Sequence, residues 1–198
     1  TKITNCVFRL NKATSTNSGG AIWAGTTSTV TVRDSTFVGN TTTATTGAGF
    51  YNTSGSSTLA NCIFWGNTGS GGATANNQIT AAGGTNTVSY SLVQGGATGT
   101  GNVNVDPLFV NLATGDLHLQ ATSPAIDAGS NSLIPAGITV DRDGLTRRFD
   151  ITTVVDTGVG PAPVVDMGAY EVQGPPPPPP CPADLNNDRI VSGPDLAT

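Results

Sequence analysis

The sequence contains few charged residues. Lysine and arginine together number 8, aspartate and glutamate number 13, and the formal net charge is -5. Lys2 and Lys12 are the only lysines, and Glu171 is the only glutamate. Because these few cations cannot form a basic patch, we expect no nucleic-acid partner.

The sequence also lacks long apolar runs. No stretch approaches the roughly 18 apolar residues of a membrane-spanning helix, so we expect no membrane span. No signal peptide is present, and residues 1–6 already belong to the repeat described below, so we expect a mature product or a fragment. Three cysteines, at positions 6, 62 and 181, are an odd number and do not describe a disulfide framework.

Residues suited to catalysis are scarce. Asp34 is the only carboxylate before Asp106, whereas a glycosidase needs two carboxylates close together. His118 is the only histidine, and it alternates with Leu117 and Leu119, which predicts an exposed strand residue rather than a general acid or base. No nucleophile motif of the type G-x-S-x-G occurs. The residues favour a non-catalytic protein, unless an active site lies outside this segment.

What the sequence does contain is an internal repeat. Residues 5–11 (NCVFRLN) recur as residues 34–40 (DSTFVGN) and 61–67 (NCIFWGN), with a weaker copy at residues 90–96 (YSLVQGG). The starts of these copies are 29, 27 and 29 residues apart. Each repeat holds short β-prone runs separated by Gly, Asn, Ser and Thr, and it lacks the leucine frame or amphipathic helices of other repeats of this size. The sequence therefore predicts an all-β fold, a right-handed parallel β-helix in which each repeat is one coil.

Equivalent residues of successive coils should stack roughly 4.8 Å apart. This spacing predicts an interior column of aromatic residues, continued by Val93: Phe8, Phe37 and Phe64. It also predicts a ladder of asparagines at a bend, where asparagine tolerates left-handed backbone and can bond the next coil: Asn11, Asn40 and Asn67. Cys6 and Cys62 should lie two coils apart, about 9.6 Å, beyond the roughly 7 Å limit for bridging, so we expect free thiols.

Several short motifs follow the repeats. They are residues 106–110 (DPLFV), 115–119 (GDLHL), 123–129 (SPAIDAG), 141–144 (DRDG) and 165–171 (VDMGAYE). In these motifs and their order, the chain resembles secreted bacterial β-helix proteins that are sometimes described as choice-of-anchor proteins. The resemblance covers residues 1 to about 173. It implies the β-helix fold, an extracellular or cell-surface location, and a tail that attaches the protein to a surface, but it implies no activity.

We expect residues 1–103 to form the coils, and residues 104–173 to form the last coils and a cap over the open end of the β-helix. The apolar residues expected to cover that end are Leu108, Phe109, Ile126, Leu145, Phe149, Met167 and Tyr170. Arg147 or Arg148 should form a structural ion pair with Asp166 or Glu171. Residues 141–144 should form a turn rather than a calcium site.

The last part of the sequence predicts a linker and a calcium motif. Six consecutive prolines at residues 175–180 indicate a stiff linker over residues 174–182. Residues 183–198 place oxygen ligands at calcium-loop spacing, with the carbonyl of Ile190 at position 7: Asp184, Asn186, Asp188, Ile190, Ser192 and Asp195. Arg189 stands where such loops usually have glycine, which should weaken binding. The segment resembles the first half of a type I dockerin, which implies calcium as cofactor and a cohesin-like or cell-surface partner.

These features together predict a non-catalytic, structural or adhesive module outside a bacterial cell, anchored or assembled through its tail. Because no cap is visible before the first coil, end-to-end self-association into filaments is also predicted. One alternative is the C-terminal part of a polysaccharide lyase or glycoside hydrolase whose active site lies elsewhere. The other is a carbohydrate-binding module with a polysaccharide partner, in which Trp23, Tyr51 and Trp65 could stack on sugars.

Overall fold

The structure is a computed structural model that describes residues 1–14, 19–25 and 28–174. Cys181 lies outside the described residues. So do most of the expected proline linker and all of the expected calcium ligands: Asp184, Asn186, Asp188, Ile190, Ser192 and Asp195. Nothing in the structure therefore tests the predicted linker or calcium motif.

The described residues form short strands joined by turns. In chain order the strands are β1 (Lys2–Thr4), β2 (Val7–Arg9), β3 (Lys12–Ala13), β4 (Ile22–Ala24), β5 (Thr29–Arg33), β6 (Thr36–Val38), β7 (Thr41–Thr42), β8 (Phe50–Asn52), β9 (Ser56–Ala60), β10 (Ile63–Trp65), β11 (Ile79–Ala81), β12 (Thr85–Ser89), β13 (Leu92–Val93), β14 (Phe109–Asn111) and β15 (Asp116–Leu119). A single helical turn, α1 (Ala75–Gln78), precedes β11, and a 3-10 turn covers Asn131–Leu133.

Strands at equivalent positions of the repeat pair in parallel. β1, β5, β9 and β12 form one sheet, β2, β6, β10 and β13 a second, and β4, β8 and β11 a third, while β3 pairs with β7. Thr29 lies opposite Ser56, 27 residues later, and Ser56 lies opposite Thr85, 29 residues later. These offsets are the spacings of the sequence repeat. The predicted all-β class and the parallel pairing of repeats are confirmed.

Alternation along the strands places apolar side chains on a shared core. In β5, Val30 and Val32 are buried, whereas Thr29 is exposed. The core also contains the column of phenylalanines. The rings of Phe8 and Phe37 are stacked with centroids 4.6 Å apart, and those of Phe37 and Phe64 with centroids 4.4 Å apart. These distances are close to the separation of neighbouring strands, about 4.8 Å, so backbone pairing sets the stacking of the rings.

Left-handed backbone occurs at two equivalent positions of the repeat. The first follows the first sheet, with positive φ at Asn5, Asp34, Asn61 and Tyr90, and the second follows the second sheet, with positive φ at Leu10, Gly39, Gly66 and Gly95. Asn11, Asn40 and Asn67, one residue later than the second position, do not have positive φ. The expectation of left-handed backbone at those asparagines is therefore wrong, and their role in the fold comes from their side chains.

The asparagine side chains join neighbouring repeats. Asn40 Nδ2 donates to Asn67 Oδ1 at 2.7 Å and to the Phe8 carbonyl at 2.9 Å. Asn40 Oδ1 accepts from the backbone N and Nδ2 of Asn11, at 3.1 and 2.8 Å. Beyond Asn67 the ladder continues through Gln78 of α1, whose Oε1 accepts from Asn67 Nδ2 at 2.7 Å. Gln78 supplies this contact because the fourth copy of the repeat has glycine where the others have asparagine.

The backbone N–H of each repeat cysteine donates to a serine hydroxyl of the next repeat. Cys6 and Cys62 are free thiols, as predicted. The backbone N of Cys6 donates to Ser35 Oγ, and the backbone N of Cys62 donates to Ser91 Oγ, both at 3.1 Å. Burial raises the pKa of the Cys62 thiol to about 12, so this side chain is neutral and unreactive at physiological pH.

Residues 104–174 contain mostly turns, with one antiparallel pair of strands, β14 and β15. We call these residues the C-terminal block. Its apolar residues pack on the face of the β2–β6–β10–β13 sheet that is opposite to the phenylalanine column. There, Val38, Ile63 and Leu92 form a second apolar cluster with residues of the block, including Phe109, Leu117, Ile126 and Met167.

This packing corrects the expected cap. The block covers the flank of the sheet rather than its open end. Phe109, Ile126 and Met167 are buried on that flank and Tyr170 packs against it, whereas Leu145 and Phe149 are exposed.

Candidate functional site

Two of the three aromatic residues considered for sugar stacking lie side by side. Trp23 of β4 is opposite Tyr51 of β8, and Trp23 is 54% exposed while Tyr51 is half-buried. Trp65 lies in a different sheet, opposite Val38, and packs against the second apolar cluster. The structure therefore brings Trp23 and Tyr51 together and gives Trp65 a packing role.

The C-terminal block is fastened to successive repeats at their left-handed turns. Asn5 Nδ2 donates to the Val140 carbonyl at 2.7 Å. Asn61 Oδ1 accepts from the Ser130 backbone N at 2.8 Å, and Asn61 Nδ2 donates to the Ser130 carbonyl at 3.0 Å. Beside the left-handed Asp34, Thr36 at the start of β6 contributes a further contact, because its Oγ1 accepts from the Ala169 backbone N at 2.9 Å. The left-handed turns thus present polar side chains to the block.

A buried arginine lies at the centre of this junction. Arg147 is 1% exposed, and its Nη2 donates to the carbonyls of Asp166 and Gly168 at 3.2 and 2.6 Å. Its ion-pair partner is Asp34, with Arg147 Nη2 3.6 Å from Asp34 Oδ1. The expected ion pair of Arg147 with the side chain of Asp166 or Glu171 is therefore wrong, since Arg147 pairs with Asp34 of the repeats. Arg148, the other arginine considered for that pair, is exposed. Burial raises the pKa of Asp34, and the charge of Arg147 opposes that effect.

Three further carboxylates of the block hold backbone N–H groups. Asp166 accepts from Asp127 and Val172 at 2.8 and 2.7 Å. Glu171 accepts from Phe149 and Asp166 at 2.9 and 3.1 Å. Burial raises the pKa of Asp166 to about 7, and burial together with the Asp166 charge raises that of Glu171 to about 9. These carboxylates accept hydrogen bonds from loops whose backbone groups make few hydrogen bonds with one another, and so fix the conformation of those loops.

The third of these carboxylates, Asp141, shapes the turn predicted for residues 141–144. Asp141 Oδ1 accepts from the backbone N of Asp143 and of Leu145, each at 2.9 Å. Its Oδ2 accepts from the Glu171 backbone N at 2.9 Å. The backbone N of Gly144 also donates to the Asp141 carbonyl at 3.2 Å, so the expected turn is confirmed.

His118 is an exposed residue of β15 between buried Leu117 and Leu119, as predicted. Its Nδ1 lies 2.6 Å from Asp116 Oδ1 and its Nε2 lies 2.7 Å from Asp143 Oδ2. Partial burial lowers the pKa of His118, but the hydrogen bonds to both aspartates outweigh it and raise the pKa above the ordinary 6.5. Both ring nitrogens contact carboxylates, so the side chain links β15 to the turn at residues 141–144.

A different group of carboxylates is not engaged in this way. Asp127, Asp150 and Asp156 each place a carboxylate oxygen within 4.8 Å of the others. Asp127 is fully buried, and neither of its carboxylate oxygens accepts a hydrogen bond of normal geometry, although the backbone N–H of Ile151 is close enough to favour its charged form. Burial, with the charges of Asp156 and Asp150, raises the pKa of Asp127 to about 6.

Sequence reasoning missed this group. Asp127 stood out only as part of the SPAIDAG motif, and Asp150 and Asp156 belong to no motif. The available signal was the unusual placement of an aspartate between apolar residues in Ala125-Ile126-Asp127-Ala128, because a buried carboxylate needs a partner.

No protein-family model matches the chain, and neither a curated protein nor a solved structure is significantly similar to it. Across residues 1–14, 19–25 and 28–174, no helix is long and apolar enough to cross a membrane.

Proposed function

We propose that the chain is a non-catalytic structural or adhesive module outside a bacterial cell, built on a right-handed parallel β-helix of about four coils. The observation that carries this proposal is the common register of the parallel sheets, which repeat every 27–29 residues. Such a register stacks each repeat on the next around one core, as the phenylalanine column and the asparagine ladder also require. A stack of this kind is rigid along its axis, which suits a spacer.

The chemistry of the polar groups supports a structural role over a catalytic one. Asp141, Asp166 and Glu171 use their oxygens to hold backbone N–H groups. His118 has a carboxylate on each ring nitrogen. A general base must reach a substrate proton. The three carboxylates are buried, and both ring nitrogens of the exposed His118 already contact carboxylates. The C-terminal part of a lyase or hydrolase remains the alternative only if the active site lies outside this segment.

Anchoring through residues 183–198 is part of the same proposal. The calcium-loop spacing of those residues supports attachment to a cohesin-like or cell-surface partner. Filament formation through the ends of the repeats is less well supported. Residues 100–103 already bond to the last repeat, with Tyr90 N donating to the Thr100 carbonyl at 2.8 Å and Val93 N donating to the Val103 carbonyl at 2.9 Å. That edge is occupied by the chain itself.

A screen of polysaccharides tests the non-catalytic assignment. The full chain is incubated with neutral and acidic polysaccharides, and the products are assayed for new reducing ends and for the unsaturated sugars that lyases release. We expect neither product with any polysaccharide. Release of either product, lost when His118 is replaced by alanine, would show that the chain is an enzyme.

Carbohydrate binding is a second candidate, favoured by the exposed Trp23 beside Tyr51. Affinity electrophoresis in gels that contain polysaccharide measures it directly. If the pair forms a stacking platform, Trp23→Ala removes the retardation, because stacking needs an exposed ring face. Trp65→Ala serves as the matched control, since that half-buried ring lies in a different sheet and packs against the second apolar cluster. Equal retardation of the wild type and both variants would exclude the platform.

A further inference from the structure

The carboxylate of Asp127 is buried without an opposite charge beside it. It is fully inaccessible, and neither carboxylate oxygen accepts a hydrogen bond of normal geometry. The backbone N–H of Ile151 is close enough to favour the charged form, but the structure gives Asp141, Asp166 and Glu171 well-formed hydrogen bonds from backbone N–H groups. An unpaired buried carboxylate is costly. Here two further carboxylates approach it within 4.8 Å, which adds repulsion between like charges. This arrangement lacks a positive charge.

Hydrogen bonds fix the backbone of Asp127, in contrast to its side chain. Its backbone N donates to Asp166 Oδ1 at 2.8 Å, and its carbonyl accepts from the backbone N of Thr157 and of Gly158, each at 3.0 Å. These bonds place the segment that follows Asp156 directly against Asp127. The carboxylates are therefore brought together by backbone contacts and not by any attraction between the side chains.

Gly158 makes this close approach feasible. A Cβ atom at that position would lie 2.0 Å from the Gly129 carbonyl oxygen, a distance that no side chain can tolerate. Val159 N also donates to the Gly129 carbonyl at 2.8 Å, and Ser130 and Val159 form a parallel bridge. The loop of residues 150–158 is thus pressed onto the segment that carries Asp127.

We propose that Asp127, Asp150 and Asp156 bind one calcium ion, which fixes the loop of residues 150–158 to the segment of residues 127–130. Three carboxylates form a hard, all-oxygen donor set, which suits calcium or magnesium and not zinc. Calcium bonds oxygen at about 2.3–2.6 Å, so oxygens on opposite sides of the ion are up to about 5 Å apart. Carboxylate oxygens that all lie within 4.8 Å of one another can share one such ion. Calcium accepts several carboxylates in a flexible geometry, whereas magnesium keeps several waters and usually binds one or two carboxylates, so a set of three favours calcium, with water completing the coordination.

This site differs from the calcium loop predicted in the tail, and the two can be separated by substitution. The tail is disabled in the full chain by Asp184→Asn with Asp188→Asn, and this double variant is the background for the test. We expect isothermal titration calorimetry with calcium chloride to show one bound ion per background chain. Because affinity at such sites follows ligand charge, adding Asp156→Asn should weaken binding about tenfold or more.

Asp156 is the preferred position for substitution, because it is exposed and its replacement should leave the fold intact, whereas Asp127→Asn alters a buried position. Asp106→Asn is the matched control, an exposed aspartate outside the group, and should bind calcium as the background does. At the same calcium concentration, calcium should also raise the melting temperature of the background and of the control, and should raise that of the Asp156→Asn chain clearly less. The proposal is overturned if the background binds no calcium, or if Asp156→Asn and Asp106→Asn bind it equally. Equal affinity for magnesium would overturn the choice of calcium.

Discussion

The replacement of Asn40 by aspartate probes the asparagine ladder without changing its volume. In the folded chain, Asn40 Nδ2 donates to Asn67 Oδ1 at 2.7 Å and to the Phe8 carbonyl at 2.9 Å. Aspartate has an oxygen at that position, so two donated hydrogen bonds become two contacts between oxygens. No cavity is created, and any loss of stability comes from hydrogen bonding and charge alone.

The expected loss follows from the two hydrogen bonds that Asn40 Nδ2 donates, while the backbone N of Asn40 continues to donate to Asn67 Oδ1 at 3.0 Å. Each lost hydrogen bond contributes about 0.5–1.5 kcal/mol, which gives about 1–3 kcal/mol for the two. Asn40 is 0% exposed, so an ionised carboxylate there would add a further penalty. A loss of this size is a large part of the total stability of a typical domain, about 5–15 kcal/mol. At acidic pH the protonated carboxyl group can donate one hydrogen bond, so the loss should shrink.

Urea denaturation followed by circular dichroism measures the effect. Asn11→Asp is the matched control, because it makes the same chemical change at the exposed first position of the ladder, where Nδ2 donates to Asn40 Oδ1 at 2.8 Å. We expect that control to lose less than about 1 kcal/mol, since water can replace the bond. Equal losses in the two variants, or a loss below about 1 kcal/mol in Asn40→Asp, would refute the reasoning.

Three other substitutions test separate parts of the fold. Phe37→Ala should lower the unfolding free energy by about 3–5 kcal/mol in urea denaturation, because Phe37 is buried between two stacked rings. Replacement of the half-buried Phe8 by alanine should lower it clearly less. Similar losses would argue against a central position for Phe37. Arg147→Ala should lose about 3–5 kcal/mol, because it removes the ion-pair partner of buried Asp34 and leaves that carboxylate only its hydrogen bond from Asn61. The exposed Arg148→Ala should be close to neutral. A larger loss in Arg148→Ala than in Arg147→Ala would contradict the assigned ion pair. For His118, whose pKa is raised above 6.5 by its two aspartate partners, the stabilisation should be complete below pH 6.5 and lost as pH rises through the raised pKa. The wild type should therefore be more stable than His118→Gln by less than about 1 kcal/mol, as expected for an exposed pair, and this difference should shrink from pH 5.5 to pH 8.5. An increase of the difference over that range would show that the assigned ion pairs are wrong.

The repeat could be predicted from the sequence because like residues recur at nearly constant spacing. Phe8, Phe37 and Phe64 are identical side chains separated by 29 and 27 residues, and a parallel register of that length places them one strand apart. The same argument applies to the asparagine ladder. Its continuation through Gln78 could not be predicted in this way, because that residue comes from a different part of the repeat.

The position of the C-terminal block was harder to predict, because it depends on contacts between distant segments. A signal was nevertheless present in β10, where Ile63, Phe64 and Trp65 are all apolar. A strand with one face in water alternates apolar and polar residues, whereas a strand covered on both faces does not. The run therefore indicated a covering layer on the outside of that sheet. The group of Asp127, Asp150 and Asp156 could not be found from spacing, since turns bring its members together.

The contacts between the block and the left-handed turns have a consequence for how the protein can vary in length. The block reaches three successive repeats, through Asn5, Asp34 and Asn61. An additional repeat inserted among them would shift one attachment point by roughly 4.8 Å relative to the others, farther than a hydrogen bond can stretch. The block therefore fixes the number of repeats between its attachment points, and repeats can be gained or lost only outside that part of the chain.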